Sequence, residues 1–500
     1  MAYKDLREYL DVLEKNGKLF RVRKPVDKDW EIGTLSRWVL QGLPEEKRFG
    51  LLFENIKDRP GTSVASLVTG PSRDMVAIAM ECKPEEIYDK WIGAMDRQIP
   101  PREVRRDQAP VKEVVIKDID LDKLPAPVTT PGRDSGPYLT ATLTITQDPG
   151  DRHYNIGLYR FELTGKDIMG TWFAPGSGMG LHYYRGYEDR DKPMPICIAL
   201  GGDPSLILAS MGKFPYGVSE YGVAGGLRGE AVEVVKAETC DLLVPAWAEY
   251  VIEGEIPPHE RVDEGPFGEY TGFMGSRGPR PFMKVKCITH RKQPILHNMV
   301  TGVPPSEGPI ARGQVWGAML YKALKYDLKE PGIMDVHFTV GSGSWGHAIV
   351  QMQPKYAGHS KKIAVITSHL LEATAPKIVT VVNDDIDIRD PLAVEWAMNF
   401  RVNPSHDITI LDHCAAPNLD PSSGLKHDTP FEERMIGSKM IVDATIKSTY
   451  PEISMPSRDF MEKGLAAWKE CGLPEFKVPK GTALLLEKHP HAGDKMKPFF

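Results

Sequence analysis

The chain has 500 residues, 41% hydrophobic and 26% charged, with a formal net charge of -6 at pH 7. That is material for about two or three cores of ordinary domain size, leaves no basic excess for a nucleic-acid partner, and includes no run near the roughly 20 apolar residues of a membrane span. The segment Met1 to Val22 alternates charged and apolar side chains without the apolar stretch of a signal peptide, so a cytoplasmic protein is expected. Cys82, Cys197, Cys240, Cys287, Cys414 and Cys471 form no CxxC pair. They are expected as small buried or half-buried side chains in a reducing compartment.

In chain order, Leu6, Leu10 and Leu13 at helical spacing, stopped by Asn16-Gly17, predict a helix, and Leu19 to Val22 a strand. A second amphipathic helix is expected over about Trp30 to Leu40. The Pro- and Gly-rich run LDKLPAPVTTPGRDSG, Leu121 to Gly136, cannot continue a helix and marks a boundary. Short apolar segments follow at Leu139 to Ile145, Ile156 to Leu163, Ile196 to Leu200, Val232 to Lys236, Ala248 to Ile252 and Met283 to Thr289, the texture of a barrel-like β domain. Pro304 to Gly313 reads as a second break, before a helix from Gln314 to Lys325. The last third alternates strands (Ile349 to Gln353, Ile378 to Val382, Ile408 to Leu411) with helices (Ser360 to Ala373, Ala393 to Arg401), which predicts an α/β layer with parallel strands. The expected division is residues 1-120, 121-312 and 313-500.

Three sets of residues can carry chemistry. In EGPFGEY, Glu264 and Glu269 flank a turn, and two carboxylates in a water-poor site suit proton transfer, because repulsion and desolvation favour the protonated form of one. In HYNIGLYR, Arg160 can grip a carboxylate in a two-pronged pair. On a regular strand Asn155 and Arg160 would face opposite sides, so either a bulge or two separate subsites is required. Asn155, His182 in GLHYYR and Glu220 in VSEYGVAGG offer oxygen and nitrogen donors suited to Mn²⁺ or Mg²⁺. GSGMG (176-180) and GSGSWG (341-346) lack the ending of a phosphate loop and read as turns. The acidic run Asp384, Asp385 and Asp387 reads as a solvated connection.

Together the ordered segments LPAPVTTPGRDSGPY, HYNIGLYR, SEYGVAGGLRGEAVEVVKAET, LLVPAWAEYVIEGEI, EGPFGEYTG, TGVPPSEG, PKIVTVVNDDIDIRD and GSKMIVDAT, spanning most of Leu121 to Thr445, resemble the UbiD family of reversible decarboxylases that use prenylated FMN. The resemblance implies a mixed α/β fold: an N-terminal α/β region, a central flavin-reductase-like split β-barrel and a C-terminal α/β domain that also serves oligomerisation. It implies Arg160, Glu264 and Glu269 as catalytic residues, with a covalent bond between substrate and cofactor and Glu269 as proton donor. Asn155, His182 and Glu220 would hold Mn²⁺ (or Mg²⁺ or Fe²⁺) against the flavin phosphate, with K⁺ nearby and His182, Met211 and Lys377 against the cofactor. The loop before His182 departs in length from several relatives. The implied reaction is non-oxidative decarboxylation, or its reverse with CO₂, of an aromatic, heteroaromatic or α,β-unsaturated acid or its CoA thioester. A flavin prenyltransferase would supply the cofactor, and the assembly would be a homodimer or homohexamer. The competing readings are an FMN-dependent oxidoreductase on the same barrel and a non-catalytic carboxylase subunit.

Overall fold

The computed structural model describes residues 3–417, 419–423, 436–491 and 495–498. Two compact units divide it, Met1–Val315 and Trp316–Phe500. The first helix, Leu6–Lys15, opens on Asp5, whose carboxylate accepts the Glu8 N–H at 2.9 Å, and it buries Leu6, Tyr9, Leu10 and Leu13. Strand Leu19–Val22 follows and pairs in parallel with Gly50–Phe53, and Ser63–Ser66 and then Ile295–Asn298 extend the sheet. The last of these strands comes from beyond the barrel, so the N-terminal sheet is completed by chain some 230 residues downstream and belongs to the same unit as the barrel.

The barrel sheet runs in the order Tyr138–Leu139, Phe161–Leu163, Ile168–Thr171, Phe282–His290, Tyr250–Ile256, Met194–Leu200, Leu143–Gln147, Tyr154–Leu158. Leu158 ends one edge strand, and Phe161 begins the strand next to the opposite edge. Three residues of extended chain reach only about 10 Å. The sheet must therefore curl until its two ends nearly meet, and Tyr159 and Arg160 cross the seam. Leu139 and Leu143 cross it a second time. Buried Leu139, Phe161, Met169, Ile196, Ile198, Ile252 and Met283 fill the apolar interior that this curling creates.

The second unit has a five-stranded sheet ordered Ile333–Phe338, His347–Met352, Ile378–Val382, Ile436–Ala444, Ile408–Ala415, with the three central strands parallel and both edge strands antiparallel. Helix His359–Leu370 makes the crossover between the first two parallel strands. The fold is thus the expected mixed α/β architecture with a curled half-barrel. Among the described residues no helix is long and apolar enough to cross a membrane.

Four local expectations are corrected. The segments Leu139 to Ile145 and Ile156 to Leu163 are each two strands, because each crosses the seam. Pro304 to Gly313 is a break only in its first part: the helix begins at Glu307, and Pro309 falls in its first turn, where a missing N–H leaves no bond unmade. Asp384, Asp385 and Asp387 are buried, because the basic side chains Lys488, Arg401 and His489 come to Asp384 and Asp385. Cys471 is exposed, since the helix it caps, Arg458–Glu470, buries none of its residues.

Candidate active site at the barrel seam

The backbone at the seam is pinned from both sides. The Thr142 hydroxyl accepts the Tyr159 N–H at 3.2 Å and donates to the Tyr159 carbonyl, and the Thr171 hydroxyl donates to the Arg160 carbonyl at 2.8 Å. Arg160 is therefore in the gap between two strands, not within a strand as expected. Asn155 stays inside Tyr154–Leu158, so strand alternation no longer relates the faces of the two side chains.

Glu264 ends the short strand Val262–Glu264, and Glu269 follows the pair Phe267–Gly268. Gly265, at φ +90°, makes the turn between them, and a Cβ there would sit 2.9 Å from the Ser276 carbonyl oxygen, so both conformation and space require glycine. The turn sends both carboxylates to one guanidinium. Arg160 Nε and Nη2 donate to Glu264 at 2.8 and 3.0 Å, and Nη1 donates to Glu269 Oε1. The Phe267 and Trp172 rings lie 5.3 and 5.5 Å from the guanidinium carbon. Glu264 is fully buried, while the Arg160 and Glu269 side chains keep 10% and 9% of their surface. One fixed cation thus serves two buried carboxylates, and two of the three groups can be reached from outside. This arrangement can bind an anion and pass a proton.

The metal candidates converge on the neighbouring strand pair. Thr146 and Asn155 face each other directly across antiparallel strands. His182, buried on the π-helical turn Leu181–Tyr187, places Nδ1 2.9 Å from the Thr146 hydroxyl, leaving Nε2 as the nitrogen for a metal. Burial lowers the His182 ring to about 4, so it is neutral, as a ligand must be. Glu220 opens helix Glu220–Arg228 and accepts the Ile156 N–H, one residue from Asn155. Burial pushes its carboxyl up to about 7 despite that bond. Although Glu220 as a residue is half-buried, its Oε2 is buried and, with the Asn155 amide nitrogen, lacks a hydrogen-bond partner. Among the described residues no three His, Cys, Asp or Glu side chains gather as a metal cage. An uncompensated carboxyl, an amide free to turn its oxygen inward and a neutral imidazole fit a hard divalent cation.

Three family models match in succession: the N-terminal, Rift-related and C-terminal domains of 3-octaprenyl-4-hydroxybenzoate carboxy-lyase, at residues 10–95, 102–304 and 314–444. The chain belongs to the UbiD family. Its members are carboxy-lyases. Among solved structures, the UbiD-class enzyme HmfF from Pelotomaculum thermopropionicum in complex with FMN is 34% identical over 93% of this chain and 100% of its own, with a TM-score of 0.80. An evolved dimeric form of HmfF was solved in complex with prFMN. The vanillic acid decarboxylase of Sedimentibacter hydroxybenzoicus in closed form is 29% identical over 94% and 100% of the two chains, TM-score 0.83. The 3,4-dihydroxybenzoic acid decarboxylase of Klebsiella pneumoniae is 26% identical over 92% and 99%, TM-score 0.79.

In this UbiD-family chain two expected residues remain, Met211 and Lys377. Met211 is buried just beyond helix Pro204–Ala209, on the segment leading to Glu220. Lys377 belongs to the second unit, where its Nζ donates to Asp420 at 2.8 Å and to Ser422. Sequence reasoning missed Tyr138, Glu162 and Asp134. The Tyr138 hydroxyl lies 3.1 Å from Glu162 Oε2 and 3.3 Å from Glu264 Oε1, and Glu162 accepts the Gly265 N–H at 2.8 Å. Burial, with Glu264 beside it, pushes the Tyr138 phenol up, so it stays a hydrogen-bond donor. The signal was present in PGRDSGPY, which carries Asp134 and Tyr138, but a Pro- and Gly-rich stretch reads as a linker until something is seen to pack on it.

Proposed function

We propose that this chain catalyses the reversible, non-oxidative decarboxylation of an aromatic, heteroaromatic or α,β-unsaturated carboxylic acid, or of its CoA thioester, with prenylated FMN as cofactor. The observation that carries the reading is Arg160 held between Glu264 and Glu269 at the barrel seam. The structural relatives named above support the substrate class, because two of them are decarboxylases of hydroxylated or methoxylated benzoic acids.

Loss of CO₂ from an sp² carbon leaves an electron pair that no side chain can stabilise, and the bound flavin supplies the electron sink. The chain does the rest. Arg160 receives the substrate carboxylate on its exposed face while Glu264 holds its Nε side. Glu269, partly reachable, exchanges the proton at the carbon that loses or gains CO₂, and Glu264 keeps Arg160 oriented. Asn155, His182 and Glu220 would hold Mn²⁺, or Mg²⁺ or Fe²⁺, at the cofactor phosphate, with K⁺ as an accompanying ion. Met211 would line the cofactor, and Lys377 would exchange Asp420 for a phosphate. We further propose three domains at 1-120, 121-312 and 313-500, a cytoplasmic homodimer or homohexamer, and a flavin prenyltransferase as the source of cofactor.

The test is Glu269→Gln in protein produced with a flavin prenyltransferase. Deuterium exchange into a panel including vanillic and 3,4-dihydroxybenzoic acids should fall about 10³-fold, while the absorbance of bound cofactor is retained. Undiminished exchange would remove Glu269 from the reaction.

A further inference from the structure

Glu269 can work only if the segment before it is held in place, and the structure assigns that task to Asp134. Asp134 accepts the Gly268 N–H at 2.9 Å and the Thr130 N–H with its other oxygen. Ser135 adds its own N–H to the Pro266 carbonyl at 3.0 Å. The approach is close: a Cβ on Gly268 would meet Thr130 Oγ1 at 2.6 Å. The segment Thr130 to Ser135 therefore grips the acidic turn between its two glutamates, and the residue it holds most tightly is the immediate neighbour of Glu269.

We propose that Asp134 is a positioning residue whose ionised carboxylate pins Gly268 and so fixes Glu269 against Arg160, and that acid releases the pin. The proposal rests on the reading of Glu269 as the proton carrier. Two N–H donors converge on the carboxylate, and a protonated carboxyl accepts only weakly at the oxygen that carries the proton. The charged groups facing it are Arg160 from the seam and Arg37 from helix Glu31–Gly42, with Glu264 and Glu269 on the gripped turn. Burial pushes the carboxyl up to about 6, against the pull of the Thr130, Gly268 and Thr129 amides and of Arg160. The release thus falls within a range an enzyme meets.

Hydrogen exchange of the apo chain from pH 5 to 8, corrected for the intrinsic rate, reads the pin without substrate or cofactor. Protection of peptides covering residues 265–270 should drop about fivefold between pH 7 and pH 5, while peptides from strand Phe282–His290 hold steady. Asp134→Asn should show the lower protection at every pH, with no step. A wild-type profile without a step, or an Asp134→Asn profile matching wild type, overturns the proposal. In the holoprotein, Asp134→Asn should lower kcat about tenfold with KM within twofold, and remove the loss of kcat below about pH 6. An Asp134→Asn profile that keeps the wild-type acid limb also overturns it. Should Glu269→Gln retain activity, the reaction assignment fails, and the exchange step still decides the pin.

Discussion

Arg160 in the first unit and Arg401 in the second each hold a carboxylate by both oxygens, and they are built differently. Arg401 meets Asp385 at 2.8 and 2.7 Å; both are nearly fully buried, Trp396 lies 5.0 Å from the guanidinium carbon, and His489 adds a second nitrogen to the carboxylate at 3.2 Å. There the basic groups equal or exceed the acidic one, and Arg401 caps an ordinary helix, Pro391–Phe400. Arg160 carries two carboxylates instead, with Glu162 and Asp134 close behind, and it sits in a break between strands with part of its surface open. A balanced, closed pair is complete in itself; an acid-rich, partly open one leaves negative charge uncompensated and part of the cation within reach of a ligand. What separates the site proposed to work from the structural pair is the ratio of charges and the irregular backbone under them.

The largest expected effect tests the open pair. Arg160→Lys keeps the charge and loses the fork, so exchange into the best substrate of the panel should fall about 10³-fold, roughly 4 kcal/mol of barrier, with the melting temperature almost unmoved. Next, Arg401→Met strips the closed pair of its main cation and should cost about 3 kcal/mol in denaturant unfolding followed on the second unit's signals. If the Arg160 variant is the less stable of the two, the comparison fails.

Acid titration separates the pairs without mutation. Burial alone would raise the Asp385 carboxyl, but bonds from His489 and Arg401 hold it at about 2. Its folded value lies below the ordinary 3.8 or so, hence its contribution is present above pH 4 and is lost as pH falls toward 2. The loss is about 2 kcal/mol, visible in wild-type unfolding and absent in Asp385→Asn. The smallest effect is a control remote from both pairs: Asp5→Ala removes the cap of the first helix and the Asp5–Arg291 bond, with Glu249 still on Arg291, and should cost about 1.5 kcal/mol, read by thermal unfolding with exchange activity unchanged at 25 °C.

Regular elements were readable wherever spacing alone fixes them. Leu6, Leu10 and Leu13 gave their helix, and Ile378–Val382 was placed to the residue. The reading failed where a distant partner decides. The break at Tyr159-Arg160 exists because the sheet curls until its two ends nearly meet, and the curl is completed by strands as distant as Tyr250–Ile256 and Phe282–His290, outside any local window. Asp385 looks like a solvated acid until Arg401 and His489, 16 and 104 residues away, are folded onto it. The same limit applied at the site. The motifs located Glu264, Glu269 and Arg160, whereas Asp134 and Tyr138 lay in a stretch whose prolines and glycines were read as a boundary.

Gly178 lies against Asn155 so closely that a Cβ there would fall 1.8 Å from the amide oxygen. A single methyl group at that position would evict Asn155 from its place while leaving Asn155, His182 and Glu220 untouched in the gene. In the reading proposed above, where Asn155, His182 and Glu220 hold the cation, position 178 becomes a steric veto over its capture, invisible to any survey that scores only those three residues.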